Sequence, residues 1–532
     1  MNPVVIGIDV GTGSARAAVF NARGRRLGRG AADTQLWRLS GDRVEQSSAD
    51  IWSSVVAAVR AAVTDAGVAP SDVVGIGFDA TCSLVLSDRE EEPLPLSKGE
   101  PTHDVIVWMD HRGVAEAAEM TESGDPALDQ VGGVMSPEMQ LPKLLWLKRH
   151  APEIWSQLGK ARDLSDWLTW RATGNDARSS CTTVCKWCLD YQRWVASPQT
   201  GWPESLLGTV DMADLLAEDH AIVGRDILVP GTPIGSGLSA KAADELGLAP
   251  GTAVAASAID AHAGAVGIVA SGAKGGSTLG RLAMIMGTSN CHLVEAADRL
   301  AVPGVWGPYF GALSGSAWLA EAGQSAAGAL LDHLIVSHPA CEGDANAEHA
   351  RLDRELADLL SDSDADTFLG DRLIAPDFLG NRSPLADPEM SGAILGLGLD
   401  SDRRDLARTY LAGLFALAYG TRHIVEVLEE NGHRIDAIVA TGSGAKNRLL
   451  MKAHADATGL PVDLPSESEG VLLGSAMLAA TAARMHPSLA DAMAAMSADA
   501  ERIEPDPSAR PMHDRRYART RLMQRFLREG RR

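Results

Sequence analysis

The amino-acid sequence predicts an α/β protein built from two similar halves. Runs of apolar residues typical of strands alternate with segments typical of helices. A strand, a turn rich in glycine and threonine, and a second strand occur near the N-terminus and again near the middle of the chain. The 532 residues are also too many for one hydrophobic core. A device repeated half a chain apart indicates a duplicated architecture with a site between the halves.

The first copy of this device is the stretch VVIGIDVGTGSARAAVF. We expect strands over Val4–Ile8 and Ala15–Phe20, with Asp9 where the first strand ends. A glycine-rich turn beside a strand can bring backbone N–H groups close to a phosphate, and a carboxylate there is placed to hold Mg²⁺ through water. The turn consists of Gly11, Thr12, Gly13 and Ser14.

Two familiar phosphate-binding patterns do not fit this turn. A P-loop requires a lysine and a following helix, and the turn contains no lysine. A dinucleotide fingerprint requires a third glycine, but Arg16 stands at that position and strand-like residues follow. Two interpretations remain, a phosphate-binding β-hairpin and an ordinary glycine-rich hairpin.

A helix is expected after this hairpin, over residues 49–67. Asp50 is its candidate N-cap and Gly67 its C-terminal stop. A third strand-like run then extends from Val73 to Leu86. This order of strand, helix and strand is what an α/β domain requires.

The second copy lies in GGSTLGRLAMIMGTSNCHLVEA, with expected strands over Leu282–Met286 and His292–Val294 and with Thr288 in the turn. Its presence favours the phosphate-binding interpretation of both turns. A stretch rich in glycine and alanine near 265–275 marks the expected boundary between the halves. The predicted units are therefore an N-terminal domain over 1–268, a C-terminal domain over 269–490 and a basic helical tail over 491–532.

A third glycine-rich joint follows the predicted strand Ile435–Thr441. Its helix is expected to run from Asn447 to Thr458 and to stop at Gly459. Such a joint lets the backbone pass flat against a base or ribose, although a simple strand-to-helix turn has the same pattern. The joint residues are Gly442, Ser443, Gly444 and Ala445.

Composition argues against several classes of partner. The formal net charge is −22 and the pI is about 5.0, so the surface repels nucleic acid and anionic lipid. The N-terminus lacks the pattern of a signal peptide. The most apolar run, YLAGLFALAYGTRHIVEVL, is interrupted by Arg422 and His423, so we expect no membrane span.

The six cysteines are predicted to be reduced thiols, which favours the cytosol. Cys181, Cys185 and Cys188 have a spacing similar to that of some metal clusters, but a fourth ligand is missing nearby, so buried thiols are expected instead. The arginine-rich tail from about Arg510 is predicted to be an amphipathic helix rather than a nucleic-acid contact. Its body-facing residues would be Tyr517, Leu522 and Phe526.

Long motifs in order along the chain carry a resemblance to a known family. These include GIDVGTGSARAAVF, GFDATCSLV, VIVWMDHR, SPEMQLPKLLWLK, LSDWLTWRATG, VCKWCLD, AIDAHAGAVG, MIMGTSNCH, EAGQSAAG, PDFLGNRSPLADPEMSGAILGLGL and TGSGAKNRLLMKAHAD. The sequence resembles the FGGY family of carbohydrate kinases, and within it the pentulose kinase branch that includes D-ribulokinases. The resemblance covers residues from about 4 to about 482. It implies two actin-like, ribonuclease-H-like ATPase domains with ATP and sugar in the cleft between them.

The resemblance also implies roles for individual residues. Asp260 in AIDAHAG matches the catalytic base, which would accept the proton of a sugar hydroxyl, and Asp9 matches the acid that organises Mg²⁺. Asp260 could also serve as a helix N-cap. The nucleotide set is Gly11, Thr12, Gly13, Ser14, Thr288, Gly323, Gly442, Ser443, Gly444 and Asn447. The sugar set is Ala80, Lys186, Asp260 and Glu321, together with Trp108, whose indole could face the sugar carbons or belong to the core.

The expected activity is ATP-dependent phosphorylation of a ketopentose, with D-ribulose first and its terminal 5-hydroxyl as the acceptor. L-ribulose, D-xylulose or a pentitol are the alternatives within the family. An actin-like or chaperone-like ATPase would share both hairpins, and a regulator could bind sugar without turnover. The motifs AIDAHAG and GNRSPLADP favour the kinase. The resemblance implies a homodimer as the default assembly.

Overall fold

The computed structural model describes residues 3–97, 102–198, 200–273, 277–361 and 364–531. Strands and helices alternate along them, as predicted for an α/β protein. The strands are β1 (Val4–Val10), β2 (Ser14–Asn21), β3 (Arg26–Asp33), β4 (Trp37–Arg38), β5 (Val44–Gln46), β6 (Val73–Ala80), β7 (Leu84–Ser87), β8 (Val105–Ile106), β9 (Lys160–Asp163), β10 (Arg178–Ser179), β11 (Ile227–Leu228), β12 (Ala253–Val254), β13 (Ala258–Ile259), β14 (Arg281–Met286), β15 (Asn290–Ala296), β16 (Trp306–Phe310), β17 (Trp318–Gln324), β18 (Leu373–Ala375), β19 (Ala393–Leu395), β20 (Ala437–Gly442), β21 (Val462–Pro465) and β22 (Ala500–Ile503). The helices are α1 (Ser48–Ala66), α2 (Val114–Glu122), α3 (Gln140–His150), α4 (Pro152–Trp155), α5 (Leu164–Thr173), α6 (Ser180–Trp187), α7 (Tyr191–Ala196), α8 (Glu204–Thr209), α9 (Ala217–His220), α10 (Ala240–Leu246), α11 (Asp260–Ile268), α12 (Gly328–Val336), α13 (Ala345–Ser361), α14 (Ala365–Leu369), α15 (Arg403–Glu430), α16 (Arg448–Thr458), α17 (Gly470–Ala482), α18 (Leu489–Met496) and α19 (Arg510–Glu529).

Two sheets with the same strand pattern lie in the two halves. In the first sheet, β1 is antiparallel to β2, β2 to β3, and β6 lies parallel on the other side of β1. In the second, β14 is antiparallel to β15, β15 to β17, and β20 lies parallel on the other side of β14. The duplicated architecture predicted from the two hairpins is therefore present.

The first predicted elements are all formed, with some corrections. The third apolar run is two strands, β6 and β7, because residues 81–83 interrupt it. The N-cap of α1 is Ser47, so Asp50 as N-cap was wrong. Asp50 lies in the first helical turn, where its carboxylate accepts the N–H of Gln35 at 2.8 Å. Gly67 ends the helix in the left-handed conformation, as predicted, with φ 63°.

Two glycine-containing helices connect the halves. Helix α11 follows the first sheet but packs against β14, whereas α17 comes late in the chain and packs against β1 and β6 of the first sheet. Their crossing is close enough that a Cβ on Gly267 would lie 1.9 Å from the Gly470 carbonyl oxygen. A Cβ on Gly474 would lie 1.8 Å from the carbonyl oxygen of Ala263. The backbones can meet here only because these positions lack side chains.

The arginine-rich segment from Arg510 forms α19, but with a different face buried from the one predicted. The rest of the 491–532 tail is not all helical, because β22 pairs with β21 of the second sheet. Tyr517 is buried, whereas Leu522 and Phe526 are 59% and 73% exposed, so their assignment to the body was wrong. The buried stripe follows a helical spacing that leaves both residues out. Its members are His513, Arg516, Tyr517, Thr520 and Gln524. Arg516, for example, donates to the Asp366 carboxylate at 2.7 Å.

The expectation that no apolar run approaches a membrane span is corrected by α15. This helix is long and apolar enough to cross a bilayer, judged by length and composition alone. However, 83% of its most apolar window is buried inside the protein. Arg422 and His423, which interrupt the run in sequence, are buried as well. The helix is therefore a core element of the second half.

Candidate active site

The turn between β1 and β2 leaves room for a ligand. Its backbone closes through a hydrogen bond from the Gly11 N–H to the Ser14 carbonyl, at 3.0 Å. Gly11 and Gly13 do not have positive φ angles, and a Cβ on Gly13 would meet nothing within 4 Å. The protein itself thus does not require glycine at position 13. A phosphate group could approach the backbone N–H groups through that open space.

Trp108 holds this turn from one side. Its indole N–H donates to the Thr12 hydroxyl at 3.0 Å, and the Thr12 carbonyl accepts from the Gln46 amide at 3.0 Å. The fully buried Lys143 ammonium in turn donates to the Trp108 carbonyl at 3.1 Å. Trp108, predicted for the sugar site, therefore has a polar partner in the first hairpin.

Three carboxylates lie near the end of β1. Asp9 is 1% exposed and forms an ion pair with the Arg16 guanidinium. Burial raises the pKa of Asp9, and burial together with the charge of Asp9 raises that of Asp79 well above its usual value. Asp79 Oδ2 accepts the Ser475 hydroxyl at 2.5 Å, while its Oδ1 is buried without a hydrogen-bond partner in the described part of the chain. An orphaned carboxylate oxygen beside Asp9 and Asp260 fits a hard divalent cation, so these residues suit Mg²⁺.

Asp260 is the first residue of α11. The N-cap is Ile259, so the suggested role of Asp260 as N-cap is not met; its carboxylate instead accepts the Ala261 N–H at 2.7 Å. Burial and the neighbouring charge of Asp9 raise the pKa of Asp260 to about 7. A carboxylate with that pKa can take up and release a proton near neutral pH, as a general base must.

The second hairpin borders a cavity of about 380 Å³. The carbonyl of the exposed Thr288 accepts N–H groups from Ala327 and Ala329, at 2.9 and 3.2 Å, which ties the turn to the start of α12. Of the predicted nucleotide set, the cavity is lined by Thr288, Ser443, Gly444 and Asn447. A larger cavity, of about 990 Å³, is lined by residues of α18 and by none of the predicted site residues.

Gly323 and Gly442 do not line the 380 Å³ cavity. Gly442 has φ 97°, and a Cβ there would lie 2.2 Å from the Met286 carbonyl oxygen. A Cβ on Gly323 would lie 2.9 Å from the Asn290 carbonyl oxygen and 3.0 Å from Arg382 Cδ. Close packing explains both glycines, so their contact with a nucleotide stays a prediction.

The side chain of Asn447 forms hydrogen bonds through both its oxygen and its nitrogen. Its Oδ1 accepts the Leu450 N–H at 2.9 Å and thereby caps α16. Its amide nitrogen donates to Asp353 at 2.8 Å and to the Tyr410 hydroxyl at 3.0 Å. His349 of α13 also hydrogen-bonds the Tyr410 hydroxyl, at 3.0 Å. This polar cluster on the cavity wall was missed, because α13 shows only an ordinary amphipathic pattern in sequence.

The predicted sugar residues converge from both halves. Ala80 ends β6, where it pairs with Val10 on one side and with Ile259, next to Asp260, on the other. Lys186 of α6 is 2% exposed and its ammonium lies 4.6 Å from the Trp306 ring centre. Burial opposes the charge of Lys186, but anionic neighbours, Glu321 among them, outweigh it and raise the pKa.

A salt bridge between the two halves was not predicted. Arg382 donates to Glu138 at 3.1 Å, and the two side chains are only 10% and 16% exposed. The Arg382 guanidinium also lies 5.4 Å from the Trp306 ring centre, so Trp306 has both Arg382 and Lys186 beside it. Glu138 lies in the motif SPEMQLPKLLWLK and Arg382 in GNRSPLADP. Their separation of 244 positions means that no local pattern in the sequence indicates the contact.

Together these groups provide the parts that phosphoryl transfer needs. Each half contributes a hairpin, although residues 11–14 of the first do not line the 380 Å³ cavity at the second. Carboxylates at one strand end can hold a cation, and a carboxylate of suitable pKa lies among polar groups that can bind hydroxyls. Such chemistry depends mainly on positioning and on neutralising charge.

Two family models match most of the chain. Residues 4–267 match the N-terminal domain of the FGGY family of carbohydrate kinases, and residues 282–483 match its C-terminal domain. The chain is similar to an FGGY carbohydrate kinase domain-containing protein of Homo sapiens, 42% identical over 529 residues, covering 96% of this chain and 94% of that protein. A D-ribulokinase of Saccharomyces cerevisiae is 38% identical over 518 residues, covering 90% of this chain and 71% of that protein.

Solved structures show the same fold at lower identity. A gluconate kinase and a xylulose kinase, both from Lactobacillus acidophilus, superpose with TM-scores of 0.81 and 0.80. Each is 17% identical, and the match covers 99% of this chain and 98% of the other. The resemblance seen in the sequence is confirmed, and the chain belongs to the FGGY family of carbohydrate kinases.

Proposed function

We propose that this protein transfers the γ-phosphoryl group of ATP to the terminal 5-hydroxyl of a ketopentose, with D-ribulose as the first candidate. The observation that carries the proposal is the position of Asp260, which begins α11 directly after Ile259, the partner of Ala80 in the sheet. Burial and the charge of Asp9 raise its pKa to about 7 there. The D-ribulokinase of yeast, 38% identical, supports the choice of sugar.

The chain's own groups would divide the work as follows. The backbone of the two hairpins holds the phosphates of ATP, and Asp9, with Asp79 beside it, holds the Mg²⁺ that neutralises phosphate charge. Lys186 and Glu321 orient the sugar hydroxyls. Asp260 accepts the proton of the 5-hydroxyl as its oxygen bonds to the γ-phosphorus and the bond to ADP breaks. The polar cluster around Asn447 borders the space for the base.

The test is an ADP-release assay with ATP, Mg²⁺ and a panel of D-ribulose, L-ribulose, D-xylulose, ribitol and glycerol. We expect D-ribulose to give the highest kcat/KM. Preference for another sugar would retain the kinase and reject D-ribulose. ATP hydrolysis that is equal in every well, with or without sugar, would support an actin-like or chaperone-like ATPase instead. Binding of sugar and ATP without ADP release would indicate a regulator.

The role of Asp260 has its own test. Asp260→Asn should lose roughly 10²-fold to 10⁴-fold in kcat, the usual contribution of a general base, while ATP binding measured by calorimetry stays nearly unchanged. Loss of ATP binding in this variant would contradict the role.

We further propose the cytosol as the compartment, since all six cysteines are free thiols. The proposed domain limits are residues 268 and 490, and the proposed assembly is a homodimer.

A further inference from the structure

A buried cluster of metal-ligating side chains lies beside Glu321, one of the predicted sugar residues. Cys181 and Cys185 stand one helical turn apart on α6, His262 of α11 faces them, and Glu321 of β17 lies beside His262. The cysteines and His262 are 0% exposed and Glu321 is 4% exposed. None of these groups except Glu321 has a part in the proposed phosphoryl transfer.

The spacing of the cysteines in sequence pointed to a different third member. Cys188 ends α6 with a left-handed φ of 57°, and the group of ligands that the structure brings together does not include it. His262 takes that place from a helix far along the chain. Tertiary structure thus replaces Cys188 with His262, and Glu321, beside His262, is the candidate for the fourth ligand that the sequence did not show.

Three of the ligand atoms lie close enough together to bind one zinc ion, and an oxygen of Glu321 lies near one of them. Cys185 Sγ lies 3.3 Å from His262 Nε2, and Glu321 Oε2 lies 3.7 Å from the same nitrogen. The ligand atoms of Cys181, Cys185 and His262 all lie within 4.8 Å of one another. Zinc bonds of about 2.3 Å to sulfur and about 2.0 Å to nitrogen place neighbouring ligand atoms roughly 3.5 Å apart.

An unsatisfied oxygen points to a missing ligand at this cluster. Glu321 Oε2 is buried and has no hydrogen-bond partner in the described part of the chain. A buried carboxylate oxygen without a donor is unfavourable unless a cation or a ligand hydroxyl meets it.

The charges balance when zinc is bound. Two thiolates and the Glu321 carboxylate supply three negative charges, and Zn²⁺ with the neighbouring Lys186 ammonium supplies three positive charges. Binding forms two Zn–S bonds, breaks the two S–H bonds and releases both protons to solvent, with no electron transferred. We propose that Cys181, Cys185 and His262 bind a zinc ion and that the carboxylate of Glu321, which lies beside His262, is its fourth ligand.

A functional consequence follows, and it rests on the proposed function. Glu321 is also expected to bind a sugar hydroxyl, so a zinc ion and the sugar compete for one carboxylate. Zinc should therefore inhibit the kinase competitively with the sugar, so that the KM for the sugar rises while kcat stays unchanged.

The first experiment does not depend on the activity. Reduced, metal-free protein is titrated with Co²⁺, which gives a sulfur-to-cobalt charge-transfer band in the near ultraviolet when thiolates bind it. We expect the band in the wild type, its loss in Cys181→Ser and Cys185→Ser, and its retention in the controls Cys188→Ser and Cys341→Ser. Circular dichroism checks folding, and His262→Gln replaces a cysteine variant that fails to fold. An unchanged band in the cluster variants, or no band in the wild type, overturns the proposal.

The second experiment tests competition with the sugar. Zinc inhibition is measured at fixed Mg²⁺ and ATP over a range of D-ribulose, and Cys185→Ser should weaken it by at least about tenfold. A cobalt band in the absence of zinc inhibition would support the metal site and contradict the competition with the sugar. Inhibition that is equal in wild type and Cys185→Ser would place the inhibiting ion elsewhere and reject it too. If no sugar is phosphorylated, the proposed function fails, and the cobalt titration still decides the metal site.

Discussion

Asp260 combines a position at the start of α11 with an unusually basic carboxylate. Burial and the charge of Asp9 raise its pKa to about 7, and only its deprotonated form can accept a proton from the sugar. We therefore expect kcat/KM to rise between about pH 6 and about pH 8 and to level off above that. The measurement is a pH profile under saturating ATP.

Asp260→Asn is the control for this profile. The residual activity of that variant should lose the rise, because an amide does not titrate in this range. A wild-type profile that is flat between about pH 6 and about pH 8 would show that another group accepts the proton.

Asn447 serves structure and site with the same side chain. Asn447→Ala removes the cap of α16 and both donors to Asp353 and Tyr410. The loss of the cap should lower the free energy of unfolding by about 1 kcal/mol. Among the described residues, Asp353 on the cavity wall would keep only the Tyr410 hydroxyl as a donor, and this change should raise the KM for ATP. Urea unfolding and steady-state kinetics measure the two effects.

A matched variant separates the two roles of Asn447. Asn447→Ser keeps an N-cap acceptor but loses the donors, so it should recover most of the stability and little of the ATP affinity. Recovery of both quantities would show that Asn447 acts only as a helix cap.

The crossing of α11 and α17 depends on missing side chains. Gly267→Ala would place a Cβ 1.9 Å from the Gly470 carbonyl oxygen, which is backbone and cannot rotate away. Moving the helices apart should cost roughly 1–3 kcal/mol of unfolding free energy. Because α17 packs on the first sheet and α11 on β14, the shift should also lower kcat/KM.

Gly208→Ala is the control for the crossing. Gly208 lies in helix α8, and a Cβ there would meet nothing within 4 Å. Alanine favours a helix over glycine, so this variant should be as stable as the wild type or slightly more stable. A Gly267→Ala protein with unchanged stability and activity would contradict the tight crossing.

Elements that depend on local sequence signals could be predicted. The buried face of a helix could not be predicted where two faces were similarly suited to burial. The hairpin of β1 and β2 follows from an apolar run, a glycine turn and a second run. In α19, Leu522 and Phe526 lie beside a stripe that buries Arg516 and Gln524 instead. Hydrophobicity alone favours the leucine and phenylalanine, whereas the ion pair of Arg516 with Asp366 decides which face is buried.

At the scale of the whole molecule, the duplication could be predicted from the sequence, but the contacts between distant residues could not. Two similar hairpins revealed two similar sheets, and a family resemblance pointed to Asp260. Neither shows that Glu138 meets Arg382, or that His262 joins Cys181 and Cys185. Such pairs leave no periodic pattern, because their spacing is set by the packing of the halves rather than by one helix or strand.

The Glu138–Arg382 salt bridge should help to hold the two halves together over the sugar. Its atoms lie 3.1 Å apart, both side chains are mostly buried, and Trp306 places Arg382 close to Lys186 of the sugar set. Arg382→Ala leaves Glu138 buried without its partner, and Glu138→Ala does the reverse. Each change should therefore raise the sugar KM and increase ATP hydrolysis without sugar, since a looser cleft admits water.

A double-mutant cycle on kcat/KM shows whether Glu138 and Arg382 act as a pair or independently. If the salt bridge links the halves, the double variant should lose clearly less than the sum of the single losses, with a coupling energy of about 1 kcal/mol or more. Arg382→Lys keeps the charge but not the planar geometry, so it should recover part of the activity. Losses that add within about 0.5 kcal/mol would mean that Glu138 and Arg382 act separately, and closure of the cleft would then depend on other contacts between the halves, the α11–α17 crossing among them.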